Sequence, residues 1–283
     1  MDQETVLKLE MKKKLKIGIV GCGAIGSSLA KAVAKNFRSQ AEVSALYDID
    51  QNKAEILSSS ISRKKLTTEN IEKLITKSDL IIEAASAKSS WEIAQKALSR
   101  GRDIMIMSVG GVVNNFIQLR KLAVKNSCKV YIPSGAISGI DALKGASIGK
   151  IKKVTLTTRK NPLSFSGVEY VKKKGIDLAK IRKDKVLFSG SAKEAVRFFP
   201  QNINVAAILS IAGIGQDKTK VRIVASPQTK KNIHEIEIEA KAARLFTRAE
   251  NILHPDNPKT SYLAVLSAIA TIKGILEPVK IGT

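Results

Sequence analysis

The sequence has few of the residues that build metal sites and disulfide scaffolds. Its 283 residues include only two cysteines and two histidines. Cys22 and Cys128 stand far apart, with no histidine or second cysteine at the spacing of metal ligands. Neither a zinc site nor a disulfide framework is therefore predicted, and we expect two free thiols in a reducing cytoplasm.

Long apolar runs are missing as well. No stretch of about 18 apolar residues is present to span a bilayer, and the amino terminus lacks the basic-then-apolar order of a secretory signal. A soluble cytoplasmic protein without a membrane partner is the expectation. Residues 1–14 are a polar extension that ends in lysines, and we assign them no role in the fold.

Acidic residues are the third shortage. The chain has 25 Asp and Glu against 48 Lys and Arg, which leaves a formal net charge of +23. Such a charge attracts nucleic acids, anionic membranes or small anionic substrates. The basic residues are spread through every segment, and aromatic residues make up only 4% of the chain. This pattern favours a lysine-rich solvated surface over a nucleic-acid partner.

Short apolar runs alternate with helical patterns through the first half of the chain. Residues 15–20 (LKIGIV) are typical of a parallel strand that is buried on both faces, and residues 24–33 carry apolar side chains at helical spacing. Further strands are predicted at 43–47, 80–84, 104–107 and 130–132, and further helices at 52–57, 90–98 and 116–124. This alternation predicts an α/β fold with a doubly wound parallel sheet, the Rossmann dinucleotide-binding domain.

A glycine-rich turn joins the first predicted strand to the first helix. Gly21, Gly23 and Gly26 have the GxGxxG spacing, which allows a tight turn, a close approach of a pyrophosphate to the backbone, and packing of the helix on the strand. Ala24 and Ile25 belong to the same turn at the start of the helix, where backbone amides face the phosphate charge. The strand-turn-helix context makes this motif far more specific than its letters alone.

Asp48 ends the second predicted strand, where a carboxylate would bind the ribose hydroxyls of a dinucleotide. Asp50 is the alternative for this role. An acid at this place favours NAD over NADP, although Lys53 lies near enough to keep NADP open as a cofactor. Ala85 and Ser86 follow a later strand at the carboxyl edge of the sheet, where they either contact the cofactor or form an ordinary turn of small residues.

The second half of the chain has a different pattern. Longer amphipathic strands, such as those predicted at 152–159 and 234–240, are separated by lysine-rich turns. We therefore expect a Rossmann domain over residues 1–133 and a second α+β catalytic and dimerisation domain over residues 134–250. Residues 260–276 have helical spacing with Pro278 just beyond, and we expect segment 251–283 to complete the first domain.

Several long strings resemble the L-aspartate dehydrogenase family. They are PSGAISGIDAL (133–143), GSAKEAVRFFPQNINVAA (190–207), NIH (232–234) and HPDNPKTS (254–261). The resemblance spans most of the chain in the right order. It implies NAD(P)-dependent oxidative deamination of L-aspartate to iminoaspartate, oxaloacetate and ammonia, or the reverse reductive amination. It also implies a homodimer with the second domain's sheet as the contact, and in this family the imine can supply NAD biosynthesis.

Carried over by position, the resemblance implies that Ala136 contacts NAD through its backbone amide, that Asn204 contacts NAD, and that His234 is the active-site residue. The residues by themselves leave two interpretations of His234 open. It is one of few side chains here that exchange protons near neutral pH without a perturbed environment, which suits catalysis, or it is a surface or satisfied strand histidine. His254 begins a proline-containing loop and is interpreted as structural.

L-Aspartate carries two carboxylates and one ammonium, so its pocket needs cationic or amide donors in excess. Lys259 is a candidate partner for a carboxylate, or else one more solvated lysine. Asn202, Thr260 and Ser261 are neutral candidates, and Ser261 alternatively caps the last helix.

Two classes of alternative function stay open at this point. One is another Rossmann enzyme of amino-acid metabolism, such as a homoserine dehydrogenase or a dihydrodipicolinate reductase, although the paired-histidine and lysine signature of the latter is missing here. The other is a non-catalytic protein that binds NAD or nucleic acid.

Overall fold

The computed structural model describes residues 13–199, 203–255 and 257–282, and the chain divides into two compact units. One unit holds the described residues up to Ile106 together with Ile117–Tyr131 and Thr271–Pro278. The other holds Met107–Phe116, Ile132–Ala270 and the described residues from Val279 onward. The domain boundaries expected from the sequence, at 133 and 251, stay predictions.

The first unit is built on a five-stranded parallel sheet. Its strands are β1 (Leu15–Val20), β2 (Ala41–Tyr47), β3 (Leu80–Glu83), β4 (Asp103–Ile106) and β5 (Val130–Tyr131). They lie in the order β2-β1-β3-β4-β5. The strand order therefore reverses between β1 and β3, and dinucleotides bind at the carboxyl ends of the strands at such a switch point. The predicted Rossmann fold is confirmed.

Helices connect these strands. They are α1 (Ala24–Asn36), α2 (Gln51–Ile61), α3 (Ile71–Thr76), α4 (Ala87–Ser99) and α5 (Phe116–Lys125). All four residues of β3 are buried, which explains why this strand has a continuous apolar run instead of an alternating pattern. Helix α3 was not predicted, because six residues are too few to show a helical period.

The second unit contains a mixed five-stranded sheet. Its strands are β6 (Ile151–Lys160), β7 (Lys185–Ser191), β8 (Lys220–Ala225), β9 (Asn232–Ala240) and β10 (Arg244–Asn251). The order is β10-β9-β6-β8-β7, with β6 and β8 parallel and the other neighbours antiparallel. This sheet agrees with the predicted α+β character of the second half.

The helices that follow β5 in the chain include two short ones and a long final one, whose residues from Thr271 onward belong to the first unit. They are α6 (Ile140–Ile148), α7 (Glu169–Lys173), α8 (Ala192–Phe198), α9 (Ile203–Ala212) and α10 (Tyr262–Leu276). A small antiparallel pair, β11 (Leu253–His254) and β12 (Asn257–Ser261), precedes α10. The predicted start of the last helix at residue 260 is wrong by two residues, because Ser261 is paired with Leu253 in this strand pair.

Strand β9 alternates between two environments. Ile236 and Ile238 are buried on one face, whereas Glu235, Glu237 and Glu239 point to the other, more accessible face. Because side chains alternate along a strand, His234 shares the buried face with the two isoleucines. The sheet thus places this histidine in the interior of the second unit.

Candidate active site

In the glycine turn between β1 and α1, neighbouring backbone leaves no room for a side chain at Gly21 and Gly26, whereas the space beside Gly23 is empty. Gly21 has φ +97, and a Cβ there would lie 2.5 Å from the carbonyl oxygen of Ala84. A Cβ at Gly26 would overlap the carbonyl oxygen of Gly21. A Cβ at Gly23, by contrast, would meet no atom within 4 Å. The backbone at Gly23 is therefore accessible to a ligand, as a pyrophosphate requires.

The first turn of α1 follows this opening. Ala24 and Ile25 begin the helix after the extended residue Gly23. The first amides of a helix have no acceptor within it and attract an anion. Their backbone amides are therefore the groups that would face a phosphate.

Asp48 fixes the turn from the end of β2. Its carboxylate accepts hydrogen bonds from the amides of Cys22, at 2.6 Å, and Asp50, at 2.9 Å. Asp48 lines the cavity, whereas Asp50 does not and forms an ion pair of 3.4 Å with Lys53. The geometry therefore favours Asp48 over Asp50 as the ribose ligand.

A cavity of about 420 Å³ lies at the carboxyl edge of the first sheet. Its walls come from the glycine turn, the end of β2 and the turn after β3. The lining residues are Val20, Gly21, Gly23, Tyr47, Asp48, Ile49, Lys53, Ile71, Ala84, Ala85, Ser86, Ser89 and Ile93. The cavity is thus bordered by the predicted residues Ala85 and Ser86 as well as by the glycine turn and Asp48.

Buried Glu83 shapes the turn that carries Ala85. One carboxylate oxygen accepts a hydrogen bond from the amide of Ala85, and the other accepts one from the hydroxyl of Ser90, both at 3.0 Å. A buried carboxylate needs such partners because desolvation without them is costly. Glu83 was not singled out in the sequence, where it ends an otherwise apolar strand.

His234 is buried, with 4% of its surface exposed. Its Nδ1 lies 3.0 Å from the hydroxyl of Thr158, its neighbour across β6 and β9. Burial lowers the pKa of His234 to about 3, and the charge of Lys160 acts in the same direction. Its Nε2 has no hydrogen-bond partner among the described residues. His234 is thus a neutral imidazole, oriented by Thr158 and able to bond a ligand at Nε2.

Asn204, near the start of α9, uses both ends of its amide. Its Oδ1 accepts from the amide of Gly110 at 3.0 Å, and its Nδ2 donates to the carbonyl of Met107 at 3.1 Å. Asn204 therefore holds the segment 107–110, which follows β4 in the chain.

Ala136 is connected to the strand of His234 through Asn251. The Nδ2 group of Asn251 donates to the carbonyl of Ala136 at 3.0 Å and to the carbonyl of Asn232 at 3.2 Å. Asn232 lies two residues before His234 on β9. The amide of Ala136 has no hydrogen-bond partner among the described residues, which leaves it available to a ligand.

Comparisons with known proteins connect both halves of the chain to dehydrogenases. Residues 21–133 match the family model for the NAD-binding domain of homoserine dehydrogenase, and residues 141–275 match the model for the C-terminal domain of aspartate dehydrogenase. The L-aspartate dehydrogenase of Methanosarcina barkeri is 47% identical over 271 residues, which cover 95% of this chain and 100% of that protein. That of Methanococcus maripaludis strain C6 is 43% identical over 272 residues, with the same coverage.

The chain belongs to the L-aspartate dehydrogenase family. It therefore carries an NAD-binding domain, as the glycine turn predicted. Among solved structures, an aspartate dehydrogenase from Thermotoga maritima matches with a TM-score of 0.70 and 24% identity, covering 95% of this chain and 99% of that one. A homoserine dehydrogenase from Thiobacillus denitrificans matches with a TM-score of 0.62 and 14% identity, covering 93% and 73%. These two likenesses concern the fold alone.

The structure describes only some of the residues predicted to bind the substrate. Asn202 lies outside the described residues, and so does the side chain of Lys259. Thr260 is partly buried in β12. The hydroxyl of Ser261 lies 3.4 Å from Nδ2 of Asn232, next to the network of Ala136.

Lys160 is the residue near His234 that the sequence did not reveal. It ends β6, one residue beyond the strand end predicted at 159. The protein around its charged end lowers the pKa of Lys160 to about 8. The alternation of side chains along β6 could have indicated that Lys160 shares a face with Thr158. Nothing in the sequence, however, distinguishes Lys160 from the many other lysines.

The structure also describes the surroundings of the second histidine and of the two cysteines. His254 is buried, and its ring packs edge-on against Tyr262 at 5.5 Å. Cys22 and Cys128 are free thiols, and burial together with Asp48 raises the pKa of Cys22 to about 12. Across the described residues, no cluster of three or more metal-binding side chains occurs. Nor does any described helix combine the length and apolar character needed to cross a membrane.

Proposed function

We propose that this chain catalyses the NAD(P)-dependent oxidative deamination of L-aspartate, or the reverse reductive amination. The products are iminoaspartate and, after hydrolysis, oxaloacetate and ammonia. The observation that carries the proposal is the 47% identity to the L-aspartate dehydrogenase of Methanosarcina barkeri over that protein's whole length. The neutral buried His234, at the position where the family resemblance expects the active residue, supports it.

The residues of the first unit suit a dinucleotide. Gly21, with its positive φ, allows the tight turn, and Gly23 leaves the backbone open to the pyrophosphate. Asp48 lines the same cavity and would bind the adenosine ribose. When bound, the nicotinamide supplies the hydride chemistry at the α carbon of the substrate. We expect NAD to be preferred over NADP, because the Asp48 carboxylate repels a 2′-phosphate while the Lys53 ammonium is paired with Asp50.

His234 would act as the proton acceptor and donor for the amine and water steps. Its imidazole stays neutral at every pH well above 3, so Nε2 can form a hydrogen bond with the substrate amine or with the attacking water. Thr158 holds the opposite ring nitrogen and so keeps the ring oriented. General acid–base help of this kind contributes roughly 10²–10⁴-fold to a rate.

Ala136 and Asn204 would serve the cofactor in different ways. The amide of Ala136 is proposed to contact NAD directly, since it has no partner among the described residues. Asn204 already bonds Met107 and Gly110, which favours a role that includes holding segment 107–110 in place for the cofactor. Asn202, Lys259 and Thr260 are the proposed donors to the substrate.

We also propose that the protein is a cytoplasmic homodimer that contacts its second copy through the accessible face of the second sheet. The free thiols suit a reducing compartment. On that face the acidic row of β9 lies between basic residues of β6 and β10, and Phe246 is 62% exposed. Sedimentation of the wild type and of Phe246→Glu tests this contact: a dimeric wild type and a more dissociated variant are expected, and a monomeric wild type would contradict it.

The function is tested by NADH formation with purified protein at alkaline pH. L-Aspartate, L-glutamate, L-alanine, L-homoserine and L-malate are compared, each with NAD and with NADP. Turnover confined to L-aspartate is expected. Turnover of L-homoserine alone would favour the other family named by the match of residues 21–133, and NAD binding without any turnover would favour a non-catalytic NAD-binding protein.

A further inference from the structure

The ammonium of Lys160 has no anionic partner within the described part of the chain. Its neighbour Arg159, on the opposite face of β6, pairs with Asp184 at 2.7 Å and with Glu235 at 3.1 Å. No ion pair or side-chain hydrogen bond of Lys160 is found among the described residues, although protein surrounds its charged end closely enough to lower its pKa. A cation in such surroundings is costly to the fold unless it is paired.

The strand register places Lys160 next to His234, the proposed catalytic residue. Thr158 is opposite His234, and Arg159 is opposite Ile233. Continuing this antiparallel register by one residue brings Lys160 beside Asn232. Since side chains alternate along β6, Lys160 projects from the face that carries Thr158, about 7 Å further along the strand. The positive charge of Lys160 adds to the effect of burial in lowering the pKa of His234, as expected for two neighbouring groups.

A second unsatisfied group belongs to the same row of residues. Asn232 is opposite Asn251 on β10, so that Lys160, Asn232 and Asn251 cross three neighbouring strands. The Oδ1 atom of Asn251 is buried and has no hydrogen-bond partner. The Lys160 ammonium lacks an anion, and the Asn251 Oδ1 atom lacks a hydrogen-bond donor. An amino acid carries both a carboxylate and an N–H group, so it could satisfy both of them.

We propose that Lys160 binds a carboxylate of the amino-acid substrate beside His234. The proposal rests on the proposed function, because it identifies a ligand for the same substrate in the same site. The carboxylate neutralises the charge of Lys160, which is unpaired in the free protein. Because water carries no charge and cannot do this, the pairing favours bound substrate over water at this place. Lys160 would thereby favour anionic amino acids and hold the substrate within reach of Nε2 of His234.

The test replaces the ammonium while keeping the length of the side chain. Lys160→Met removes the charge, Lys160→Arg retains it, and Lys152→Met makes the same change at an exposed position of the same strand. KM for L-aspartate and kcat are measured with saturating NAD at pH 7.5. The dissociation constant of succinate, a dicarboxylate that cannot react, is measured by calorimetry on the NAD-loaded protein, and thermal unfolding checks that each variant folds.

A charged hydrogen bond of this kind corresponds to a loss of about 30-fold in affinity, within a range of roughly 10 to 150. We expect Lys160→Met to raise both KM and the succinate dissociation constant by about that factor, with a smaller change in kcat. Lys160→Arg should stay within a few-fold of the wild type, and Lys152→Met should match it. A structural role alone would lower thermal stability without this rise in KM.

The two proposals fail in different ways. A folded Lys160→Met variant whose KM and succinate affinity equal those of the wild type would overturn the role of Lys160, while wild-type turnover of L-aspartate would still uphold the proposed function. If the wild type binds NAD but turns over no L-aspartate, the proposed function fails. In that case equal succinate affinity in the wild type and Lys160→Met would overturn the role of Lys160 as well.

Discussion

Replacing Lys160 by methionine is expected to stabilise the ligand-free protein at neutral pH, although the same change weakens substrate binding. The pKa of Lys160 falls from its usual value of 10.5 to about 8 because protein surrounds the charged end. Between pH 8 and 10.5 the unfolded chain therefore binds a proton that the folded chain does not. Over that window the stability of the wild type rises with pH, and below pH 8 the folded protein bears the full cost of the charge.

The magnitude follows from the same two values. A fall from 10.5 to about 8 corresponds to roughly 3 kcal/mol. Because part of the residue remains accessible to solvent, about 1–3 kcal/mol is a realistic gain at pH 7 for Lys160→Met. For a protein of this length, each kcal/mol raises the melting temperature by about 2–4 °C.

The assay is thermal unfolding followed by circular dichroism at pH 7 and at pH 10.5. We expect the variant to melt several degrees above the wild type at pH 7, with the difference shrinking at pH 10.5. Lys152→Met provides the control for removing one positive charge from a very basic protein. A Lys160→Met protein that melts below both of them at pH 7 would refute the reasoning.

Four further predictions address the remaining site. His234→Gln should lower kcat by roughly 10²–10⁴-fold in steady-state assays while the dissociation constant of NADH stays unchanged; near-normal turnover would contradict its role. Because burial lowers the pKa of His234 from 6.5 to about 3, the unfolded chain binds more protons in that window. The wild type should therefore lose stability as pH falls from 6.5, and His234→Gln should lose less in the same melting series. Gly26→Ala should abolish NADH binding, measured by fluorescence, because its Cβ overlaps the carbonyl of Gly21. Asp48→Ser should raise the affinity for NADP relative to NAD, since it removes the carboxylate that repels the 2′-phosphate; an unchanged ratio would leave cofactor choice to other residues.

The Rossmann half of the chain was predictable because its signals are local. A buried strand, the turn Gly21 to Gly26 and a helix follow one another within a short stretch, and each has a pattern that neighbouring residues determine. The ends of the elements moved by a few residues, because the last hydrogen bonds of a strand or helix depend on its partners. The short helix α3 and the buried carboxylate of Glu83 gave no such local signal.

The second half was predictable by a different route. His234, Asn204 and Ala136 were selected through resemblance to a family, since one histidine or asparagine has no periodicity of its own. The strands predicted at 152–159 and 234–240 were found in their places as β6 and β9. Their antiparallel pairing, however, could not be predicted from two amphipathic segments that lie more than 70 residues apart in the chain.

By itself, then, the sequence determined the fold class, the glycine turn with Asp48, and the family. Only the tertiary structure decided that His234 is buried, neutral and oriented by Thr158. It also decided that Lys160 lies close to His234, two residues beyond Thr158 on β6, without an anionic partner among the described residues. The physical reason is that hydrogen bonding and desolvation depend on which atoms surround a group. For His234 and Lys160 those atoms come from strands that are distant in the chain and become neighbours only when the sheet forms.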